Sequence, residues 1–365
     1  MTRTEAIAYI KILKGLIAHG EVDILLSTFI TAFRNNSFQD EHGVWYLFGN
    51  FNLGGTVSGR LSSSKPNLQN IPSTSKYAKV IKKCFKGFNG FLMAGADFNS
   101  LEDYISALTT KDPNKLKVYL EGYDGHCLRA YSYFKDQMPD IKNTVESINS
   151  IAKKYKPLRQ DSKGPTFALT YQGTWHTLVK NLGFSKEKAQ QIEAQYHMLY
   201  EHSDKWVWNK LEEASKNGYA TVAFGLRIRT PILARTILGK DSTPYEAAAE
   251  GRTVGNALGQ SYGLLNNRAA NEMRERILSS PYRLDIRPIS QIHDAQYYII
   301  RNRLDVIEWF NINLVECMSW QDLPELEHDK VKLGAATDIY YPSWANDITL
   351  PNNATKQEII EVCNE

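Results

Sequence analysis

Two apolar runs, far apart in this chain, each end on an aspartate. Phe91 to Ala96 reads as a short buried strand that delivers Asp97 at its tip. Asp285 to Ile300 is apolar and β-branched on both sides of His293-Asp294, which predicts a hairpin presenting that pair in its turn. Carboxylates at the ends of buried segments are costly unless they are paired or hold a metal. Either aspartate alone is satisfied by a turn or a cap. Together, on separate strands, they suit two Mg²⁺ ions roughly 3.5–4 Å apart that clamp the attacking and leaving oxygens of a phosphoryl transfer.

Most of the chain between them is helical in pattern. Gly125 to Asn217 reads as mostly helix, with Ser185 to Asn217 the clearest amphipathic stretch, started by Ser185 as N-cap and stopped by Gly218. Residues 219–231 predict a hairpin around Phe224-Gly225, and Glu246 to Leu278 a further helix. Upstream, residues 5–34 carry apolar positions at helical spacing. Residues 43–60 alternate around Gly54, Gly55 and Gly59 as strand and turn, and Ser62 to Ser75, with Pro66 and Pro72, predicts an extended loop. A helical lobe inserted between strand-bearing blocks is an α+β design.

The 365 residues leave room for two or three lobes, and 42% apolar content permits a sizeable core. A net charge of +3 is compatible with nucleic acid without demanding it. Two basic clusters, Lys76 to Lys86 and Lys153 to Lys163, are either solvated faces or phosphate contacts. The four cysteines show no CxxC spacing, which argues against a zinc site or a disulfide framework and for free thiols in a reducing cytosol. Lys11 and Lys14 interrupt the apolar N-terminus, which reads as an amphipathic helix and not as a signal peptide. No apolar run is expected to reach the length of a membrane span. The expectation is a soluble, cytoplasmic protein with no membrane partner (host cytoplasm if phage-encoded).

Two further patterns carry chemistry. Arg159, Lys163, Phe167 and Tyr171 recur every four residues, so they share one helix face: two cations for a triphosphate, then two aromatics for a sugar and base. Arg252, Asn256 and Gln260 repeat that spacing and suit groove edges or template sugars. Each pattern is also that of an ordinary surface helix.

Taken in order, these segments resemble DNA polymerase family A, the family of bacterial DNA polymerase I. Thr56-Val57-Ser58-Gly59-Arg60-Leu61-Ser62-Ser63 followed by Pro66-Asn67-Leu68-Gln69-Asn70-Ile71-Pro72 resembles a long family signature. Asp97 to Glu102 resembles the family's motif A, Arg159 to Tyr171 its motif B, and Gln291 to Asp294 its motif C; Asp124-Gly125-His126 is similar to a further element. The resemblance implies a right-hand polymerase fold: thumb-base helices over 1–45, a first part of an antiparallel-sheet palm over 46–123, helical fingers over 124–245, and a second part of the palm with a tail over 246–365. It implies that Asp97, Asp294 and the Phe98 carbonyl hold two Mg²⁺ ions, with Mn²⁺ a substitute. By the same resemblance Arg159, Lys163 and His126 bind the incoming triphosphate, with Lys163 also catalytic. Phe167 and Tyr171 take the sugar, base and templating position, and Glu102 excludes a 2′-OH. Arg60, Asn67, Gln69, Asn70, Arg252, Asn256, Gln260 and His293 contact DNA. The implied partners are primer-template DNA and dNTPs.

Four departures qualify the resemblance. Ala295 stands where the family has glutamate. Gly164-Pro165 predicts a kinked or broken helix near 161–165. Ala168 and Gln172 displace the family's glycines. Only Thr4 to Asn35 is available as thumb, and no proofreading site is evident. These point to a phage-like split polymerase whose thumb and 3′–5′ exonuclease come from a second polypeptide, with the tail from Ile348 to Glu365 helping to dock it. The competing readings are a single-subunit RNA polymerase-like enzyme, against which Glu102 argues, and a non-catalytic nucleic-acid-binding subunit, against which Asp97, Asp294, Arg159 and Lys163 argue together.

Overall fold

The computed structural model describes residues 2–73, 76–235 and 245–364. A five-stranded antiparallel sheet draws together strands from either side of the helical block: β1 (Phe91–Phe98), β2 (Ile286–Ile292), β3 (Ala295–Arg301), β4 (Ala335–Tyr340) and β5 (Asp347–Leu350). Their spatial order is β5-β4-β1-β3-β2, so the apolar β1 lies in the middle. Side chains alternate along a strand. Ala94, Ala96 and Phe98 therefore enter the main core, while Met93 joins a smaller cluster with Ile299, Tyr340 and Trp344 on the other face. Gly95 permits this pairing: a Cβ there would lie 2.5 Å from the Gln296 carbonyl oxygen and 3.0 Å from the Tyr297 ring.

Ten helices matter to the site. A continuous N-terminal helix, α1 (Arg3–Asn36), contains a π-helical turn at Leu25–Ile30 and starts in a capping box between Thr2 and Glu5. Then come α2 (Leu101–Thr110), α3 (Gly125–Phe134), α4 (Lys156–Asp161), α5 (Lys163–Thr170), α6 (Lys186–Leu199), α7 (Glu201–Asn217), α8 (Tyr245–Gln260), α9 (Leu264–Ser279) and α10 (Leu304–Met318). α2, α9 and α10 cover one face of the sheet through Ile105, Leu108, Met273, Phe310 and Leu314. α3, α5 and α6 share a separate core with Tyr133, Ile148, Leu178, Ile192 and Tyr200. The expected α+β architecture is thus realised, and the C-terminal tail belongs to it: Ala354 and Ile359 lie in the main core.

Several expectations are corrected. The stretch from Ser185 to Asn217 is two helices, because Tyr200 leaves helical geometry (φ −123°, ψ 39°) to bury its ring and accept a hydrogen bond from Arg129 Nε at 3.0 Å. Ser185 does cap the first and Gly218 (φ +74°) closes the second. The helix expected over Glu246 to Leu278 is interrupted by a 3-10 turn, Ser261–Gly263. Ser62–Ser64 is a short strand paired with Asn50–Asn52, not loop; Thr74 and Ser75, the end of that expected loop, lie outside the described residues, as do residues 236–244 of the expected fingers. Finally, α1 is long and apolar enough to cross a membrane by length and composition, contrary to the expectation that no segment reaches that length. The helical period hid this, because its lysines and glutamates are few and spaced apart.

The break expected in the motif B segment is present. α4 ends at Asp161 and α5 begins at Lys163, with Ser162 between them. Pro165 has no N–H to offer the carbonyl one turn back. Ser162 is buried there, donating through Oγ to the His126 carbonyl at 3.1 Å and to the Arg159 carbonyl at 2.9 Å.

Candidate active site

Asp97 pairs across the sheet with Ala295, so Asp294, one residue earlier in the β2–β3 turn, stands beside it. The turn places His293 in the left-handed region (φ +54°), and a buried polar network holds it. Asn266 of α9 donates to the carbonyls of His293 (3.1 Å) and Ala295 (3.2 Å). Gln296 Nε2 donates to Asn266 Oδ1 at 2.9 Å, and the Tyr298 hydroxyl donates to Gln296 Oε1 at 2.6 Å. Asn266 and Gln296 are each 1% exposed. Neither was singled out from the sequence. The signal was there: Asn266 shares the apolar face of Ala269 and Met273, where a polar residue needs a partner. Asn266→Ala strands two carbonyls and an amide, and is expected to cost about 2–3 kcal/mol in urea unfolding. A loss below about 0.5 kcal/mol would show that the turn does not depend on this network.

The two carboxylates are electrostatically strained. Partial burial and then the neighbouring Asp294 push the Asp97 carboxyl up to about 6, although its side chain stays open to the cleft. Burial also raises Asp294, opposed by Arg60, whose Nη2 lies 3.1 Å from Asp294 Oδ1 and 3.4 Å from Glu102 Oε1. No cation of the protein forms a salt bridge with Asp97 among the described residues. Among those residues, too, no three His, Cys, Asp or Glu side chains gather as a metal cluster. Two adjacent, under-neutralised carboxylates at the mouth of a cleft nevertheless fit Mg²⁺, which keeps several waters and takes one or two carboxylates plus substrate oxygens.

Facing them across a cleft of about 650 Å³ is α5. Lys163, Phe167 and Tyr171 line it together with Glu102 and His126. Phe167 is 63% exposed, and its ring meets that of Tyr171 edge-on, with centroids 4.8 Å apart. The Tyr171 hydroxyl is raised by burial and by its hydrogen bond to Glu102. His126 is held below its ordinary value by burial, then by the nearby Arg129 and Lys163, so its imidazole is neutral at pH 7. The cleft thus sets an acidic floor against a basic and aromatic wall.

The remaining predicted residues are placed unequally. Arg159 does not line the cleft; it forms a two-point pair with Asp124 (Nη2 to Oδ2 2.8 Å, Nε to Oδ2 3.1 Å), and Asp124 also caps α3. Asn67 caps a short 3-10 turn by accepting from the Gln69 amide at 3.0 Å, and Gln69 reaches the Gln291 carbonyl at 3.5 Å. Asn70, Arg252 and His293 are exposed, and Arg252 lies over the Tyr245 ring. Gln260 is half-buried beyond the cleft. Asn256 lines a second cavity of about 370 Å³ behind Tyr171, shared with Gln172, Gly255 and Trp206. Tyr171 and Glu102 line both spaces and form the wall between them.

Comparison with known proteins bears on the fold and the family of this chain. The chain is 31% identical over 193 residues to the thermostable DNA polymerase I of Thermus filiformis, covering 52% of this chain and 21% of that protein. It is 27% identical over 257 residues to DNA polymerase I of Pseudomonas aeruginosa, covering 69% and 25%. The matches therefore span only about a fifth to a quarter of those relatives. The fold matches the polymerase domain of Pol1 from M. smegmatis, solved in complex with DNA primer-template and dNTP, with a TM-score of 0.74 at 23% identity over 91% of this chain and 53% of that one. The sequence pattern of DNA polymerase family A matches residues 3–339, nearly the whole chain, and the chain belongs to that family.

Proposed function

We propose that this chain is the catalytic core of a template-directed DNA polymerase that joins a dNTP to a primer 3′-OH. The observation that carries this is the juxtaposition of Asp97 and Asp294 with Lys163, His126, Phe167 and Tyr171 across one cleft. Asp97, Asp294 and the Phe98 carbonyl hold Mg²⁺, which when bound supplies positive charge to the attacking and leaving oxygens. Lys163 offsets the charge that develops on the departing pyrophosphate. Neutral His126 donates a hydrogen bond to the triphosphate. Arg159 joins them on releasing Asp124. Phe167 packs against sugar and base, and Tyr171 closes the templating side. Arg60 and Gln260 lie at the primer end, while Arg252 and Asn256 support the template. Primer extension by the purified chain with Mg²⁺ and dNTPs tests the reading, and a chain inert even with every partner supplied refutes it.

Glu102 sets the sugar preference by crowding the 2′ position between Arg60 and Tyr171. Glu102→Ala is expected to raise rNTP use relative to dNTP use on the order of 10²-fold. An unchanged ratio removes Glu102 from that role.

The reading includes a second polypeptide supplying thumb and 3′–5′ exonuclease. α1 supports it: Ile10, Leu13, Leu16 and Ile17 are exposed, and a helix this apolar needs a covering surface. Processive extension by the chain alone would refute the requirement.

A further inference from the structure

We infer that Arg60 is a latch on Asp294: without DNA its guanidinium takes the place of a divalent cation on that carboxylate, and a primed duplex draws it away. The inference rests on the polymerase reading above.

Arg60 Nη2 sits between Asp294 Oδ1 (3.1 Å) and Glu102 Oε1 (3.4 Å), as a charge-assisted bridge between two carboxylates. The side chain is guided there. Its stem lies against Gly263, where a Cβ would come within 2.6 Å of Nε and 2.9 Å of Cγ. Only glycine leaves this path open. The backbone of Arg60 is also fixed, its carbonyl accepting from Thr56 Oγ1 at 2.8 Å.

The pose is incomplete, however. Arg60 Nε is buried and has no hydrogen-bond partner among the described residues. A buried donor left unmade is costly, so the pose carries a penalty that is relieved when the guanidinium moves out to an acceptor on another molecule. The minor-groove edge of a base pair presents such acceptors whatever its sequence. The groove and Asp294 compete for the same guanidinium, and its positive charge 3.1 Å from Asp294 Oδ1 opposes the approach of a divalent cation to that carboxylate. DNA binding and metal binding are thereby coupled, and coupling of this kind is reciprocal.

The test is Mn²⁺ binding to the full chain without nucleotide, read by the loss of the free-Mn²⁺ electron paramagnetic resonance signal. Arg60→Met keeps the apolar stem and removes the charge; it is expected to bind Mn²⁺ about tenfold more tightly than wild type. Adding a primed DNA duplex is expected to tighten wild-type binding by a similar factor and to leave Arg60→Met nearly unchanged. Gly263→Ala pushes the stem aside with its charge retained, and is expected to reproduce part of the gain, which separates displacement from loss of charge. Asp294→Asn abolishes the difference in every background. Equal Mn²⁺ affinity in wild type and both variants overturns the latch, as does a DNA-induced gain of the same size in wild type and Arg60→Met. Where Arg60→Met fails to fold by circular dichroism, Gly263→Ala decides. Primer extension is scored separately: a chain that extends primers without the Arg60-dependent difference loses the latch alone, and one that shows the difference without extending primers loses the polymerase reading.

Discussion

Asp294→Asn is expected to lower primer extension by about 10³-fold or more while leaving the protein folded. The amide is nearly the same size but carries no charge for a divalent cation. Metal stabilisation of the reacting oxygens is worth several kcal/mol, and each 1.36 kcal/mol is a factor of ten in rate. Asp97→Asn should behave alike in activity, and its stability gives an independent check. The folded Asp97 carboxyl lies at about 6 against an ordinary value of 3.8, so it binds its proton more tightly in the fold than in the unfolded chain. Its ionisation therefore costs stability progressively as pH rises from about 4 to about 6, and that cost persists above. In metal-free buffer at pH 7.5, Asp97→Asn should melt at the same temperature as wild type or higher. A fall of several degrees would mean that the carboxylate is held by the fold and not reserved for a cation. Full extension by Asp294→Asn would overturn the assignment of the site.

Phe167→Tyr is expected to reduce discrimination against dideoxynucleotides on the order of 10²-fold. The Phe167 ring is exposed to the cleft and offers no hydrogen bond. A nucleotide lacking its 3′-OH would then leave the polar partner of that hydroxyl unsatisfied, and the wild type is expected to discriminate against it. A tyrosine hydroxyl at the ring's tip replaces the missing group without changing the packing of the ring. Competition between dNTP and ddNTP in single-nucleotide extension measures the effect. Equal use of both by the wild type would remove Phe167 from the sugar site.

The acidic floor of the cleft was legible because a carboxylate at the end of a buried strand leaves a local pattern. A strand that ends in an acid, and a hairpin whose turn carries one, are visible as Phe91–Asp97 and Asp285–Ile300 without knowledge of their neighbours. The break before Pro165 was legible for the same reason, since a missing N–H acts within one turn. What escaped were properties that exist only between distant segments. Arg159 reads as a free cation until Asp124, thirty-five positions earlier, is found against it. Asn266 and Gln296 look like ordinary polar residues until the fold buries them under the catalytic turn. The division at Tyr200 follows from the demand of one ring for the core and the reach of Arg129, not from local propensity. Arg60 drew notice only as an expected DNA contact, and its bond to Asp294, 234 positions away, was not legible.

The meeting of α4 and α5 at Ser162 separates two cations that stand four positions apart. Arg159 moves with α4 and is anchored through Asp124 to the start of α3. Lys163 and Phe167 belong to α5, and Tyr171 follows at its C-terminal end with its ring against that of Phe167. Ser162 itself keeps helical dihedrals (φ −72°, ψ −21°), so the Arg159 pair and the cleft-lining face belong to successive helical segments. The charge of Arg159 is thus tied to the start of α3, and a change at Asp124 frees it without altering a side chain that lines the cleft.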